Sequence, residues 1–252
     1  MEKLAFVTII MPVYNGEKYI DDAINSVISQ SHKDWKLLVV NDSSTDLTAS
    51  IVNSFVELDS RISLIDNKGI KGAAGARNYG MSVSRGDYVA FIDCDDVWHP
   101  DKLKTQIELM QEETADFSYS SYEIIDSTGS NCRKTYMVPE RVTFNEMLKE
   151  NYIGCSTVIV SGSIAKDYIF STDFYHEDYC LWLQLLKDGF KAIGCSQPLV
   201  KWRFISGSRS SNKLKSAVSR WRIYRKKLKL SFILSVKSLI SYVINGINKY
   251  SK

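Results

Sequence analysis

An α/β fold, with a mostly parallel sheet flanked by helices, is predicted for this chain of 252 residues, and three observations predict it. Strand-like and helix-like segments alternate four times within the first 92 residues, the pattern of a sheet wound with crossover helices. The first strand is a continuous apolar run, as a strand covered on both faces must be. Three strands end in clusters of polar and acidic residues, at the carboxyl edge where open parallel sheets bind their ligands.

The elements follow in order. Residues 7–11 form the first buried strand, ended by Pro12. Residues 17–31 place Tyr19, Ile20, Ala23, Ile24, Val27 and Ile28 at helical spacing. Residues 36–41 are a second strand. Ser44, Thr45 and Asp46 open a second helix with Ile51, Val52, Phe55 and Val56 along one side. Residues 61–65 are a third strand, 72–83 a helix despite its glycines, and 88–92 the strand that delivers Asp93. Pro100 suits the first turn of a helix that begins near His99. Beyond it, residues 116–123 and 133–138 read as strands around the turn at Asp126 to Gly129. Residues 143–150 read as a short helix, 157–160 as a strand and 179–187 as a helix.

Length and composition suit one large α/β domain with an ample core, 44% hydrophobic and 24% charged. The charge is divided along the chain. None of the 29 acids lies beyond Asp188, whereas 15 of the 32 Lys and Arg do, so residues 1–188 carry a formal −12 and the remainder +15. Such asymmetry calls for an anionic partner at the tail. Within that tail, Phe232, Val236, Leu239, Ile240, Val243, Ile247 and Tyr250 fall on one helical face, and Ser231, Ser235, Ser238, Asn245 and Lys249 on the other. Led by the basic and aromatic stretch 220–229, this helix fits the interface of an anionic membrane. It fits equally a packing surface on its own domain or on a second copy in a homodimer. Lys237 and the serines argue against a membrane-spanning helix. Five scattered cysteines without a CxxC pair give neither a disulfide framework nor a zinc site, and the N-terminal residues lack an export signal, so a cytoplasmic location is expected.

The chemistry is concentrated at the strand ends. Asp93, Cys94, Asp95 and Asp96 put three acids in four residues. If the chain stays extended there, Asp93 and Asp95 project to one side, a pair of hard oxygen ligands for Mg²⁺ or Mn²⁺. A cation held by two carboxylates completes its shell with water and a substrate diphosphate, which indicates a phosphorylated donor. Acids also cap helices, but capping accounts for one of the three. Cys94 should turn into the core. At the first strand end, Tyr14 of Pro12, Val13, Tyr14, Asn15 and Gly16 can lay its ring on a nucleobase. At the second, Asp42 can accept from an imide N–H such as that of uracil. Gly72 to Asn78 combines small residues for close approach with Arg77, able to meet phosphate. Singly, each has a structural alternative in a turn, a cap or a helix–sheet contact. His32 and His99 sit at helix ends as surface or capping residues, and His176, nearer the chemistry, is expected to line the cleft.

Taken together and in this order, these stretches resemble the GT-A glycosyltransferases of family 2, inverting enzymes that use nucleotide-sugar donors. The likeness runs from residue 7 to about 103 and returns at 175–183. It implies a Rossmann-like GT-A domain over residues 1–212, with a nucleotide-sugar half (1–115) and an acceptor half (116–212), followed by the basic amphipathic helical tail 213–252. It implies a donor site of Pro12, Val13, Tyr14, Asn15, Asp42, Gly75, Arg77, Asp93 and Cys94, and a metal site of Asp93 and Asp95 for Mn²⁺ or Mg²⁺. Glu177 and Asp178 resemble the family's ED motif, with Asp178 as catalytic base and with Glu177 and Asp96 on the acceptor side. Asp178 also stands where it could cap the helix that follows. A loop closing over the diphosphate corresponds to residues 206–210, with Arg209 as a contact. Two departures are informative. Asn41, Asp42, Ser43 and Ser44 replace the commoner Asp-Asp-Gly-Ser, and of the Gln-x-x-Arg-Trp signature of processive synthases only Arg220 and Trp221 remain, which favours addition of a single sugar.

The implied partners are a nucleotide-sugar, UDP-sugar above the rest, a glycan or lipid-linked acceptor and the inner membrane surface, with surface polysaccharide or glycolipid as product. A sugar nucleotidyltransferase would show a Gly-rich basic loop after the first strand, and a dinucleotide enzyme GxGxxG; neither is present. A non-catalytic membrane-associated nucleotide-sugar-binding protein, or a nucleic-acid binder using the tail, leaves the acids of the front half without a role.

Overall fold

The computed structural model describes residues 5–129, 132–205 and 213–250. Its strands are β1 (Val7–Val13), β2 (Trp35–Asn41), β3 (Ile62–Asp66), β4 (Tyr88–Phe91), β5 (Val97–Trp98), β6 (Phe117–Ile125), β7 (Cys132–Tyr136), β8 (Ile159–Ser161) and β9 (Ala192–Arg203). Its helices are α1 (Ile20–Ile28), α2 (Thr48–Leu58), α3 (Ala73–Val83), α4 (Lys102–Glu112), α5 (Phe144–Lys149), α6 (Gly162–Asp167), α7 (Glu177–Lys187), α8 (Lys213–Arg222) and α9 (Phe232–Tyr250). The strands form one sheet in the order β3, β2, β1, β4, β8, β6, β9, β5, with β7 on β6.

The first half is parallel, as the alternating pattern requires: β1 pairs with β2 from Val7 opposite Trp35 to Val13 opposite Asn41, and with β4 on its other edge. Antiparallel strands enter at β8, while β6 and β9 pair in parallel. Every residue of β1 is buried, and its side chains divide by alternation. Val7, Ile9, Met11 and Val13 join the core beneath α1, α2 and α4, whereas Ile10 joins the core formed with α3, α5, α6 and α7. Each fully buried aliphatic side chain of this kind contributes about 1.5–3 kcal/mol.

Most boundaries lie within a few residues of expectation. α1 starts at Ile20 rather than residue 17, because the Tyr19 and Ile20 N–H groups both close back on the Gly16 carbonyl. α4 starts at Lys102, so Pro100 stands before the helix and not in its first turn. Three elements were not anticipated: the two-residue β5, the short α6 and the long β9. In β9 the pairing with β6 is interrupted by register shifts around Ser120 to Tyr122, and Pro198 breaks the alternation that would mark a strand.

Residues 223–230 are built into the core formed with α3, α5, α6 and α7. Ile223 and Tyr224 of a π-helical turn, Ile223–Lys227, are fully buried in the second core with Leu228 and Leu230. Arg220 of α8 is buried and stacks between two rings, Tyr179 of α7 and Tyr242 of α9, each 3.9 Å from its guanidinium carbon. No helix among the described residues is long and apolar enough to cross a membrane.

Candidate active site

The polar strand ends converge at the carboxyl edge of β1, β2 and β4. The two loops after β1 and β2 are tied together. Asn15, held at a positive φ of 50°, accepts from the Thr45 N–H at 2.8 Å, and its own N–H donates to Ser44 Oγ at 3.0 Å. Pro12 and Val13 are buried in β1, so of that stretch only Tyr14 and Asn15 project, Tyr14 with 61% of its surface exposed. The ring is free to receive a flat ligand. Asp42 accepts from Asn67 Nδ2 and from the Gly72 N–H, both at 2.7 Å. The carboxylate therefore pins the loop leading into α3. That loop runs so close to the helix that a Cβ at Gly75 would lie 1.6 Å from the Ile70 carbonyl oxygen; no other residue fits there.

Arg77, on the inward face of α3, is 4% exposed. It donates to Asp93 Oδ1 at 2.5 Å and to Glu177 Oε1 at 3.0 Å. The guanidinium thus faces two carboxylates from distant parts of the chain instead of an open cleft. Phe170 lies 5.4 Å from it.

β4 ends at Phe91, and Asp93 to Asp96 form a turn closed by the Asp96 N–H on the Asp93 carbonyl at 3.1 Å. The extended geometry expected for the acids is therefore replaced by a turn. Asp93 and Asp95 remain close in space: burial, and next the charge of Asp93, push the Asp95 carboxyl up to about 6. This mutual repulsion is what a cation between them relieves, and the donor set is hard oxygen. Among the described residues no cluster of three or more His, Cys, Asp or Glu could hold a metal alone. A dication here would take two carboxylates from the protein and the rest of its shell from diphosphate and water, the habit of Mg²⁺ and Mn²⁺.

Asp96 has a different place from the acceptor side expected of it. It is 1% exposed and accepts from Ser156 Oγ at 2.5 Å and from the Arg203 N–H at 3.0 Å. Its carboxylate fastens the acidic turn to β9 and to the turn at Cys155–Thr157 and is buried from solvent. Cys94 packs against the first core, as expected, and burial and the neighbouring acids push its thiol upward.

Two residues that hold this turn had no signal in the sequence. Ser156 Oγ, besides donating to Asp96, accepts from the Asp93 N–H at 3.0 Å. Arg203, 3% exposed, donates through Nε to the Asp95 carbonyl at 2.8 Å and through Nη2 to Asp22 at 3.0 Å. Neither belongs to a motif; only the pairing of β9 beside β6 brings Arg203 here.

Glu177 and Asp178 open α7, with His176 at the N-cap position and no side-chain cap. Asp178 is thus inside the first turn and not the cap, although its Oδ1 accepts from the Tyr179 N–H at 2.7 Å. Burial, and next the charge of Glu177, push Asp178 up to about 6, while the Tyr179 N–H and Arg77 act downward. A carboxylate of that basicity, half-buried, is suited to accept a proton near neutral pH. The turn is held from behind by Ser219 of α8, whose Oγ accepts from the Tyr175 N–H at 3.1 Å. Residues 206–210, with Arg209, lie outside the described residues.

The acidic turn after β4 and the acid pair that opens α7 are linked through one arginine, Arg77. Residues 8–174 match the family described as Glycosyl transferase family 2. The chain belongs to glycosyltransferase family 2. It is 36% identical over 243 residues, 96% of each chain, to the "Putative teichuronic acid biosynthesis glycosyltransferase TuaG" of Bacillus subtilis. It is 38% identical over 247 residues, 97% of this chain and 95% of the relative, to "UDP-Glc:alpha-D-GlcNAc-diphosphoundecaprenol beta-1,3-glucosyltransferase WfgD" of Escherichia coli. Among solved structures, TarS 1–349 of S. aureus in complex with UDP-GlcNAc superposes with a TM-score of 0.75 at 20% identity, over 98% of this chain and 76% of that one. The mannosyltransferase PcManGT of Pyrobaculum calidifontis, in complex with GDP-Man and Mn²⁺, superposes with 0.71 at 16%, over 99% and 76%. Those likenesses show the fold, and this family 2 glycosyltransferase has the GT-A architecture expected of it.

Proposed function

We propose that this glycosyltransferase moves one sugar from a UDP-sugar to a hydroxyl of a glycan or lipid-linked acceptor, with inversion, in the assembly of a surface polysaccharide or glycolipid. The observation that supports the mechanism is the double ion pair of Arg77, which joins the acidic turn to the acid pair of α7. UDP is supported by the UDP-Glc in the name of WfgD and by the UDP-GlcNAc complex of TarS, and the lipid-linked acceptor by the name of WfgD.

Tyr14 stacks on the base, and Asp42 accepts the imide N–H once Asn67 or the Gly72 N–H yields an oxygen. Asp93 and Asp95 would hold a divalent ion, Mn²⁺ or Mg²⁺, which would supply positive charge to offset that of the leaving diphosphate. Asp178 accepts the proton of the acceptor hydroxyl as the oxygen attacks the anomeric carbon opposite the leaving group. The C–O bond to the acceptor forms, that to the diphosphate breaks, and configuration inverts. Glu177, bound to Arg77, keeps Asp178 basic. A lipid-linked acceptor sets the reaction at a membrane surface, consistent with the cytoplasmic, peripheral location expected from the sequence.

The test is a panel of UDP-, GDP- and dTDP-sugars with Mn²⁺, read by thermal stabilisation and donor hydrolysis, with the anomeric configuration of any product assigned by NMR. Stabilisation by UDP-sugars that disappears in Asp93→Ala/Asp95→Ala supports the reading. Equal stabilisation in that variant, or a retained configuration, rejects it.

A further inference from the structure

The amphipathic helix α9 is seated the opposite way round from a helix of a soluble domain. Its polar stripe faces the protein: Ser235 is 0% and Ser238 4% exposed, and Tyr242 on the same side stacks on Arg220. Its apolar side faces solvent, with Phe232 63%, Ile233 67%, Ile240 54%, Val243 46% and Ile244 52% exposed. At 100° per residue these five, with Val236 and Lys237, occupy one continuous arc. A contiguous apolar surface of this kind marks an interaction site.

The charge around it selects the partner. Arg222, Arg225, Lys226, Lys227 and Lys229 are exposed at the junction of α8 and α9, and Trp221 and Phe232 meet edge to face there, 5.7 Å apart. No acid lies between residue 189 and the end of the chain. Two copies meeting through this face would oppose like charges with no acid from either tail to offset them. An anionic bilayer satisfies both halves of the surface, taking the apolar arc into its acyl boundary and the bases at its headgroups. We infer that α9 rests apolar side down on an anionic lipid surface, with the basic junction beside it in the headgroup layer. This deepens the reading of a lipid-linked acceptor and rests on it for its purpose, while its test involves neither donor nor acceptor.

The experiment is sedimentation of the full chain with vesicles of phosphatidylcholine alone and of phosphatidylcholine with one third phosphatidylglycerol, with the mass in solution followed by light scattering. Binding to the anionic vesicles should be at least about ten-fold tighter and should weaken with salt. Ile240→Glu/Ile244→Glu should lose about ten-fold or more of it with an unchanged melting temperature, since both side chains face solvent. Lys226→Gln/Lys227→Gln/Lys229→Gln should abolish the preference for the anionic lipid. The inference is overturned if the unaltered chain ignores anionic vesicles or if the glutamate variant binds them equally. It is overturned too if the chain is a dimer that this variant converts to monomer, because a second copy then covers the face. Failure of sugar transfer, with vesicle binding intact, would reject the catalytic reading alone.

Discussion

Arg77 and Glu177, a hundred positions apart, meet through a 3.0 Å hydrogen bond between two side chains each about 5–7% exposed. The same guanidinium holds Asp93. Breaking a buried pair from one side leaves the other charge uncompensated and costs about 3–5 kcal/mol. Arg77→Ala should therefore lower stability in urea by roughly that amount and remove turnover. Arg77→Lys retains charge but cannot fork to both acids, so it should recover part of the stability and little of the rate. Equal activity of the lysine variant would mean that the fork is not what aligns the two acids.

Asp178→Asn should lower turnover by about 10²–10⁴-fold, the usual contribution of a general base, with donor affinity little changed. In the unaltered enzyme the rate should rise with pH through about 6, where Asp178 ionises beside Glu177, Arg77 and Asp93. The same shift has a consequence for stability. A carboxyl raised above its unfolded value of 3.8 favours the folded state most below that value and loses the advantage as pH rises through about 6. Asp178→Asn should consequently melt higher than the parent at pH 7.5, with the gap closing toward pH 4. A lower melting temperature at pH 7.5 would contradict the burial argument.

Lys102 is fully buried in α4, its Nζ 4.3 Å from the Trp98 ring and without a hydrogen-bond partner. Burial depresses it to about 7 from 10.5. Such a group stabilises the fold only as it becomes neutral, so its cost is greatest below pH 7 and fades toward 10.5. Lys102→Met, of similar length, should raise the melting temperature at pH 6 and have little effect near pH 10. Thermal unfolding across that range decides it.

Arg203→Ala removes the donor to the Asp95 carbonyl and the tie to Asp22. The acidic turn then loses a support on its β9 side, though the backbone N–H to Asp96 persists. Second-layer losses of this sort weaken metal affinity by about 10–100-fold. The Mn²⁺ concentration for half-maximal turnover should rise accordingly, with turnover at saturating Mn²⁺ much closer to that of the parent.

The parallel half of the fold was legible because its strands are short buried runs between helices of clear period; β1 and β2 read almost to the residue. The acids were legible as types but not in their division of labour. Asp93, Asp95 and Asp96 look equivalent in the chain, and only the position of Ser156 and the Arg203 N–H shows that Asp96 is structural. Arg77 read as a phosphate contact because nothing local betrays that Glu177 lies opposite it. β9 was hidden by Pro198 and by a partner, β6, far back in the chain. The periodicity of α9 was visible, yet not which side packs: a serine stripe can line a tight helix contact, and no pattern of hydropathy distinguishes that from a solvated face.

Tyr179, Arg220 and Tyr242 stand in one stack from α7 to α9, one residue from Asp178. If α9 lies on a bilayer as we infer, Asp178 would stand at a fixed elevation over the lipid, set by two aromatic rings and a guanidinium rather than by a flexible tether. An enzyme so built would gauge its acceptor by height, and a glycan grown beyond that reach would pass out of range for this transferase.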